Sequence, residues 1–383
     1  MENQIIQMDQ SKHQKHTKLA RPDLGYFARN EVAFLGASCE IIESLMAEVA
    51  NKLSTTCSIV TIDADHKNKV KGFTQNQEMR YSFGNELPAS DKVDHYFNTN
   101  HADLALVNGN HYEASKQILI LSKDKIASVE RRKAQLTNIL AVLVRDAQIE
   151  DYPFLDIPIQ TPILTFDTEG IENLAAIIEN QVIQKLPVLE ALILAGGKSS
   201  RMGSDKSQLK YGDVKAIDRI IRLCQELGLR VNVSLAANQN ESLTSIQDIQ
   251  YVQDQFIELG PFGAICSAFM KKPNNAFLVL ACDLPLIDKE TIQKLMDQRN
   301  ATSYATAIKG VNEEFPEPLV AIYEPKIYMR FLQFLSLGYS CPRKVLINSP
   351  VEIVQLTDNK CITNVNTQEE YQQIIQSDHV HFR

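Results

Sequence analysis

The residues best suited to chemistry open the second half of the chain, where Leu192-Ile193-Leu194-Ala195 runs straight into Gly196-Gly197-Lys198-Ser199-Ser200-Arg201-Met202-Gly203-Ser204-Asp205-Lys206. Two adjacent glycines let a chain leave a buried strand in a conformation that a β-carbon forbids, and they let backbone N–H groups come close to an anion. Lys198, Arg201 and Lys206 then crowd three cations onto the same loop, a density that suits a triphosphate better than a neutral turn. The plain alternative is a Gly-rich surface turn with solvated basic side chains. A second signal is Val279-Leu280-Ala281-Cys282-Asp283-Leu284-Pro285, an apolar run ending in an aspartate. An α/β enzyme holds a metal ion against phosphate oxygens at such a strand end, so Asp283 is the candidate metal ligand. A turn or N-cap aspartate ahead of Pro285 is the competing reading. Between the two stand Tyr251-Val252-Gln253-Asp254 and Glu258-Leu259-Gly260-Pro261-Phe262-Gly263-Ala264-Ile265, a strand end followed by a Gly-Pro turn into a helix.

The elements that must position these residues follow from length and patterning. A chain of 383 residues predicts two domains or three, since domains run roughly 100 to 200 residues. Apolar runs at Val32 to Gly36, Ser58 to Ile62, Leu104 to Val107, Gln117 to Leu121 and Pro162 to Phe166 predict buried strands, with helices over Ile41 to Val49 and Val129 to Ala147. Ile171 to Lys185 reads as a closing helix that Pro187 ends. Further strands are expected at Leu189 to Ala195, Val231 to Ala236, Gln250 to Val252, Ala276 to Ala281, Ala305 to Ile308, Leu319 to Tyr323 and Val351 to Gln355. The expected organisation is a flexible arm over residues 1–26, one α/β domain over 27–186 and a second over 187–383. Both domains are expected to be doubly wound.

Composition narrows the function. With 39 Lys and Arg against 47 Asp and Glu, the net charge of -8 supplies no overall basic field for nucleic acid or anionic lipid, so neither is an expected partner. Seven cysteines form no C-x2-C pair, and no run reaches the length of a membrane span, which together predict a reduced, cytoplasmic protein. His13 with His16 and His379 with His381 lie in polar termini and read as solvated. Asp63, Asp65 and His66 read as a polar loop after a strand end, with phosphate or metal contact as the alternative.

The motifs of the second half, in their order, resemble the molybdenum cofactor guanylyltransferase family, whose pattern is L-A-G-G-x-x-x-R-M-G-x-D-K, a strand-end Asp, G-P-L-x-G-I, then C-D-x-P. The likeness extends to Arg343-Lys344-Val345 and to Thr363-Asn364-Val365-Asn366-Thr367-Gln368-Glu369-Glu370. It implies a Rossmann-like nucleotidyltransferase fold and transfer of GMP from GTP to molybdopterin, with release of pyrophosphate. On this resemblance Leu194, Ala195 and Gly196 contact the nucleotide, Lys206 neutralises its phosphates, Asp254 helps hold guanosine and Asp283 holds Mg2+. Gly197, Lys198 and Gly260 complete the candidate substrate-binding set, and Lys206, Arg201 and Asp283 are the candidate catalytic residues. Phe262-Gly263-Ala264 departs from the family's L-x-G, and Ala236 stands at a position often Asn. CTP in place of GTP, or a sugar or polyol phosphate in place of the pterin, would keep the fold and the reaction. A non-catalytic cofactor-delivery protein is the reading from a different class.

In the first half, Phe34-Leu35-Gly36-Ala37-Ser38-Cys39-Glu40-Ile41-Ile42-Glu43 sits where a phosphate loop would sit, but Ile41, Ile42 and Glu43 replace the G-K-[ST] that such a loop needs. Ala102 to Asn110, with Lys116 after it, resembles the D-x-V-x-V-E-G stretch of the molybdopterin-guanine dinucleotide biosynthesis adaptor family, Asn108 replacing the Glu. The resemblance implies a degenerate P-loop NTPase-like fold that has lost hydrolysis and keeps a docking or cofactor-channelling role. Molybdoenzymes or cofactor-biosynthesis proteins would be its partners. A plain α/β domain whose Gly36 merely shortens a turn is the alternative.

Overall fold

The computed structural model describes residues 30–65, 78–82, 99–195, 209–211, 213–236, 239, 243–365 and 367–376. The expected arm, Gly196, Gly197, Lys198, Arg201, Lys206 and both histidine pairs lie outside them. Among the described residues the strands form two large sheets that share no strand.

The first sheet contains β1 (Asn30–Leu35), β2 (Ile59–Asp65), β3 (Glu78–Ser82), β4 (Leu104–Asn108), β5 (Lys116–Leu121), β6 (Ile139–Val144) and β7 (Ile163–Thr165) in the order β3-β2-β4-β1-β5-β6-β7. Every pairing is parallel. Parallel strands are covered on both faces, which is why Val32, Ala33, Phe34 and Leu35 are all buried. Helix α1 (Cys39–Leu53) starts at Ser38, whose Oγ accepts from Ile41 N at 3.4 Å, and lays Ile42, Leu45, Met46 and Val49 on one face of the sheet. Gly36 makes the turn possible: its φ is +95°, and a β-carbon there would stand 2.1 Å from the Ile120 carbonyl oxygen.

One expected helix is not formed. Val129 to Ala147 is not one helix; α2 (Ile126–Arg131) ends early, a short 3-10 turn spans Lys133–Gln135, and Ile139–Val144 is β6. A six-residue apolar run has no periodicity that separates strand from buried helix. Pairing with β5 and β7, which buries Leu140 to Leu143, decides it here. Helix α3 (Thr168–Ile178), capped by the Asp167 carboxylate on Gly170 N at 2.8 Å, closes this half as expected.

The second sheet is mixed. Its strands are β8 (Leu189–Leu194), β11 (Val231–Leu235), β12 (Ile249–Gln253), β13 (Ala276–Ala281), β14 (Ala305–Lys309), β15 (Val320–Tyr323) and β16 (Val351–Gln355), ordered β12-β11-β8-β13-β15-β14-β16. Only β15 runs antiparallel to its neighbours. A small hairpin, β9 (Lys210–Tyr211) with β10 (Val214–Lys215), stands apart. Helices α4 (Ala216–Glu226) and α6 (Lys289–Asp297) supply Ile217, Ile221, Ile292 and Leu295 to the core that takes Ala191 and Ile193. Helices α5 (Pro261–Lys271) and α7 (Ile327–Ser336) supply Phe262, Phe269 and Phe331 to the opposite core, which takes Leu192 and Leu194. Alternate residues of β8 thus fill two cores, which fixes where its C-terminal end emerges. Helices α8 (Pro342–Ile347) and α9 (Gln368–Gln376) follow. No helix of the described residues is long and apolar enough to cross a membrane.

The start of β8 is anchored by charge. Glu190 is 1% exposed and pairs with Lys272 and, at 3.2 Å, with Arg230, while Asn232 Nδ2 donates to it at 2.9 Å. Burial alone would push the Glu190 carboxyl up; Lys272, Asn232 and Arg230 outweigh it and hold it below its ordinary value. Replacing Lys272 by Met leaves that charge under-compensated and is expected to cost about 3 to 5 kcal/mol of stability. Urea denaturation at neutral pH checks it. Because Glu190 is depressed, the network's contribution is present above its unfolded pKa and lost as pH falls through the folded one, so the gap between variant and parent narrows in acid.

The two halves meet at the N-terminal edges of their sheets. Asn100 Nδ2 donates to Lys326 O at 2.8 Å, and Lys326 Nζ reaches Asp103 Oδ1 at 2.9 Å. Asp103 immediately precedes β4, and Lys326 follows the end of antiparallel β15. Arg299 joins the seam by holding Glu324 through two bonds of 2.6 and 2.9 Å and Pro187 O at 3.0 Å. The C-terminal rims of both sheets therefore lie on the sides away from the seam.

Candidate functional site

Strands β12, β11, β8 and β13 are consecutive neighbours and parallel, so their C-terminal ends share one rim. Asp254, Ala236, Ala195 and Asp283 follow these ends in sequence, which is where open α/β sheets take ligands. Cys282 N donates to Leu194 O at 3.4 Å, fastening the β13 end to the end of β8. Leu194, Ala195, Asp254 and Asp283, all expected from sequence, are thus brought together. Gly260 is the N-cap of α5 at φ +56°, so the helix begins at the rim.

Gln239 was not anticipated. Its Oε1 accepts from Ala236 N at 2.9 Å and its Nε2 donates to Ala195 O at 3.3 Å, bridging the ends of β11 and β8. A lone glutamine in a polar stretch carries no sequence signal for this. The Phe262-Gly263-Ala264 departure also resolves into packing. Phe262 is fully buried with its ring 4.8 Å from that of Phe331, so it fills core instead of meeting a base. Gly263 is obligatory there, since a β-carbon would stand 2.2 Å from Phe256 O.

Two carboxylates frame the electrostatics. Burial pushes the Asp254 carboxyl above its ordinary range even though Ser234 Oγ donates to it at 2.8 Å. Glu317, just before β15, is pushed up by burial and further by the Asp283 charge, against Leu319 N at 3.1 Å and the Arg343 guanidinium at 3.1 Å. Glu317 and Arg343 line a cavity of about 320 Å³ together with Gly310, Glu313, Phe315 and Thr363. Val365 N donates to Asp283 O at 3.1 Å, so the Thr363-Asn364-Val365 stretch is fixed to the same rim. The sheet order places β15 and β14 on the side of β13 opposite β8, β11 and β12. Asp283 therefore stands between the Ala195–Asp254 side and the Glu317–Arg343 cavity.

Tyr211, on the hairpin after the glycine loop, is buried edge-on against Tyr371 with ring centroids 5.5 Å apart, and Tyr371 Oη donates to Lys210 O. Burial, then the neighbouring Tyr371 and Asp283, push its hydroxyl up. Helix α9 thereby clamps the hairpin beside Asp283. Among the described residues no three His, Cys, Asp or Glu side chains are grouped to hold a metal ion. A hard carboxylate such as Asp283, with the rest of the shell left to phosphates and water, is the donor set that suits Mg2+.

Residues 191–350 match the model of the MobA-like NTP transferase domain. A molybdenum cofactor biosynthesis bifunctional protein from Synechocystis sp. is 30% identical over 186 residues, which cover 49% of this chain and 53% of that protein. The chain thus spans about half the length of that relative. A probable molybdenum cofactor guanylyltransferase from Clostridium perfringens is 30% identical over 195 residues, covering 48% of this chain and 95% of that one. One from Flavobacterium johnsoniae is 26% identical over 187 residues, covering 48% and 95%.

Proposed function

Since the chain belongs to the MobA-like NTP transferase family, we propose that it transfers GMP from GTP to molybdopterin, forming molybdopterin guanine dinucleotide and pyrophosphate in the cytoplasm. The observation that carries this is Asp283 at mid-rim, with strand ends for a nucleotide on one side and a polar cavity for an acceptor on the other. Leu194, Ala195, Gly196 and Gly197 present backbone to the nucleotide, and Asp254 and Gly260 border the guanosine. Lys198, Arg201 and Lys206 meet its phosphates.

The acceptor's terminal phosphate is an anion at neutral pH, so no side chain has to remove a proton from it. An anion approaching a polyanion is repelled, and the rate must come from positioning and neutralisation as the bond to the α-phosphorus forms and the bond to pyrophosphate breaks. Asp283 would hold the magnesium ion, which when bound supplies further neutralisation of the α-phosphate and leaving group. Arg201 and Lys206 act on the same oxygens. Glu317, Arg343 and Thr363 offer hydrogen-bonding groups to the acceptor, and Phe315 a ring face.

The first half is read as an adaptor-like domain whose phosphate loop is degenerate. With the two rims on opposite sides of the seam, docking of a partner suits it better than handing the cofactor across one chain. The test supplies the purified chain with Mg2+, molybdopterin and each nucleoside triphosphate in turn, and measures pyrophosphate and nucleotidylated pterin. GTP alone is expected to support the reaction. Turnover with CTP alone would replace the nucleotide, and none with any triphosphate would leave a cofactor-delivery protein.

A further inference from the structure

A second cluster sits on the rim of the first sheet. Cys39 Sγ lies 3.3 Å from His111 Nε2, and Asn110 Nδ2 donates to the same sulfur at 3.7 Å. The arrangement is braced from behind. Asn110 Nδ2 also donates to Ala37 O at 3.0 Å, its backbone N donates to Asn108 Oδ1 at 3.0 Å, and Asn108 Nδ2 donates to Asp63 Oδ1 at 2.8 Å. Arg132 Nη2 holds Asn110 O at 3.3 Å. Asn108, fully buried, is therefore a bracing residue of this cluster. Strand β1 is flanked by β4 and β5, and the chain leaves β1 and β4 in opposite directions, which makes this edge a topological switch point.

The other cysteines set the contrast. Burial pushes the thiols of Cys57, Cys224 and Cys266 up to about 12, and Cys282 and Cys361 are buried too. Cys341 is exposed. Cys39 alone among the seven is half-exposed, opens a long helix and has an imidazole in hydrogen-bond reach, the combination that makes a sulfur nucleophilic. Glu40, Glu43 and Asp63 are the opposing charges nearby in chain or network, so His111 is the group on which the effect turns.

We propose that Cys39 is a thiol-exchange site for a low-molecular-weight disulfide. The Cys39 sulfur attacks one sulfur of the disulfide; a new S–S bond forms as the old one breaks, the other sulfur leaves as thiolate, and His111 takes the Cys39 proton. The result is a mixed disulfide on the rim, with no net oxidant beyond the disulfide itself.

The test uses the full chain and an aromatic disulfide whose released thiolate is coloured, with peptide mass spectrometry to assign the sites. Cys39 is expected to react before Cys341, on the order of tenfold faster. Cys39→Ser should remove the fast phase, Cys341→Ser should leave it, and His111→Gln should slow it toward the Cys341 rate while circular dichroism is unchanged. Equal rates at Cys39 and Cys341 in the unmodified protein would overturn the proposal whatever the variants do, as would a fast phase that survives His111→Gln.

Discussion

Replacing Asp283 by Ala is expected to lower kcat for the proposed guanylyl transfer on the order of 10³-fold, the range seen when a group acting on transition-state charge is removed. Backbone contacts fix this position. It is held by Val365 N on Asp283 O, and the residue before it by Leu194 O, and both contacts survive a truncated side chain. Stability should therefore change by less than about 1 kcal/mol. A second readout separates loss of chemistry from loss of structure. The Asp283 charge is one of the causes holding the Glu317 carboxyl up, so in the variant Glu317 should titrate lower, toward its ordinary range. Carbon-detected NMR of Glu317 in parent and variant measures this directly. Near-normal turnover in Asp283→Ala would remove it from the mechanism.

Why Asp283 could be read from sequence and Glu317 could not is a matter of local pattern. Ala276 to Ala281 is an uninterrupted apolar run, and an aspartate at its end has few places to be other than the rim of a buried strand. Leu194 and Ala195 were legible for the same reason, being the last apolar residues before two glycines. Glu317 precedes a strand that runs antiparallel, and strand direction is a property of the whole sheet that no window of sequence contains. Tyr211 and Gln239 act through contacts with Tyr371, Ala195 and Ala236, and nothing in their own surroundings marks them out. The misread segment at Ile139–Val144 failed differently: its residues are right for burial, and only the partner strands on each side say which buried element forms. Asn108 shows a third case. Read as a replaced acidic residue it suggests loss of a site, whereas in the fold it is a buried amide that donates to Asp63.

The second large effect is expected at Lys206. Its charge follows the glycine loop four positions ahead of Lys210, where the hairpin clamped by Tyr371 begins. On the proposed mechanism a cation at this point of the sequence offsets the charge that builds on the α-phosphate and the departing pyrophosphate, and a contact of that kind contributes a few kcal/mol. Lys206→Ala should lower kcat/KM for GTP by roughly 10²- to 10³-fold, most of it in kcat, with the KM for the pterin little changed. Lys206→Arg keeps the charge but replaces a compact ammonium with a planar fork, so it should recover only part of the loss. Steady-state kinetics with each substrate varied in turn distinguishes the outcomes. A raised KM for GTP at unchanged kcat would make Lys206 a uniform binding contact, equal in ground and transition states, and the neutralising role would pass to Arg201.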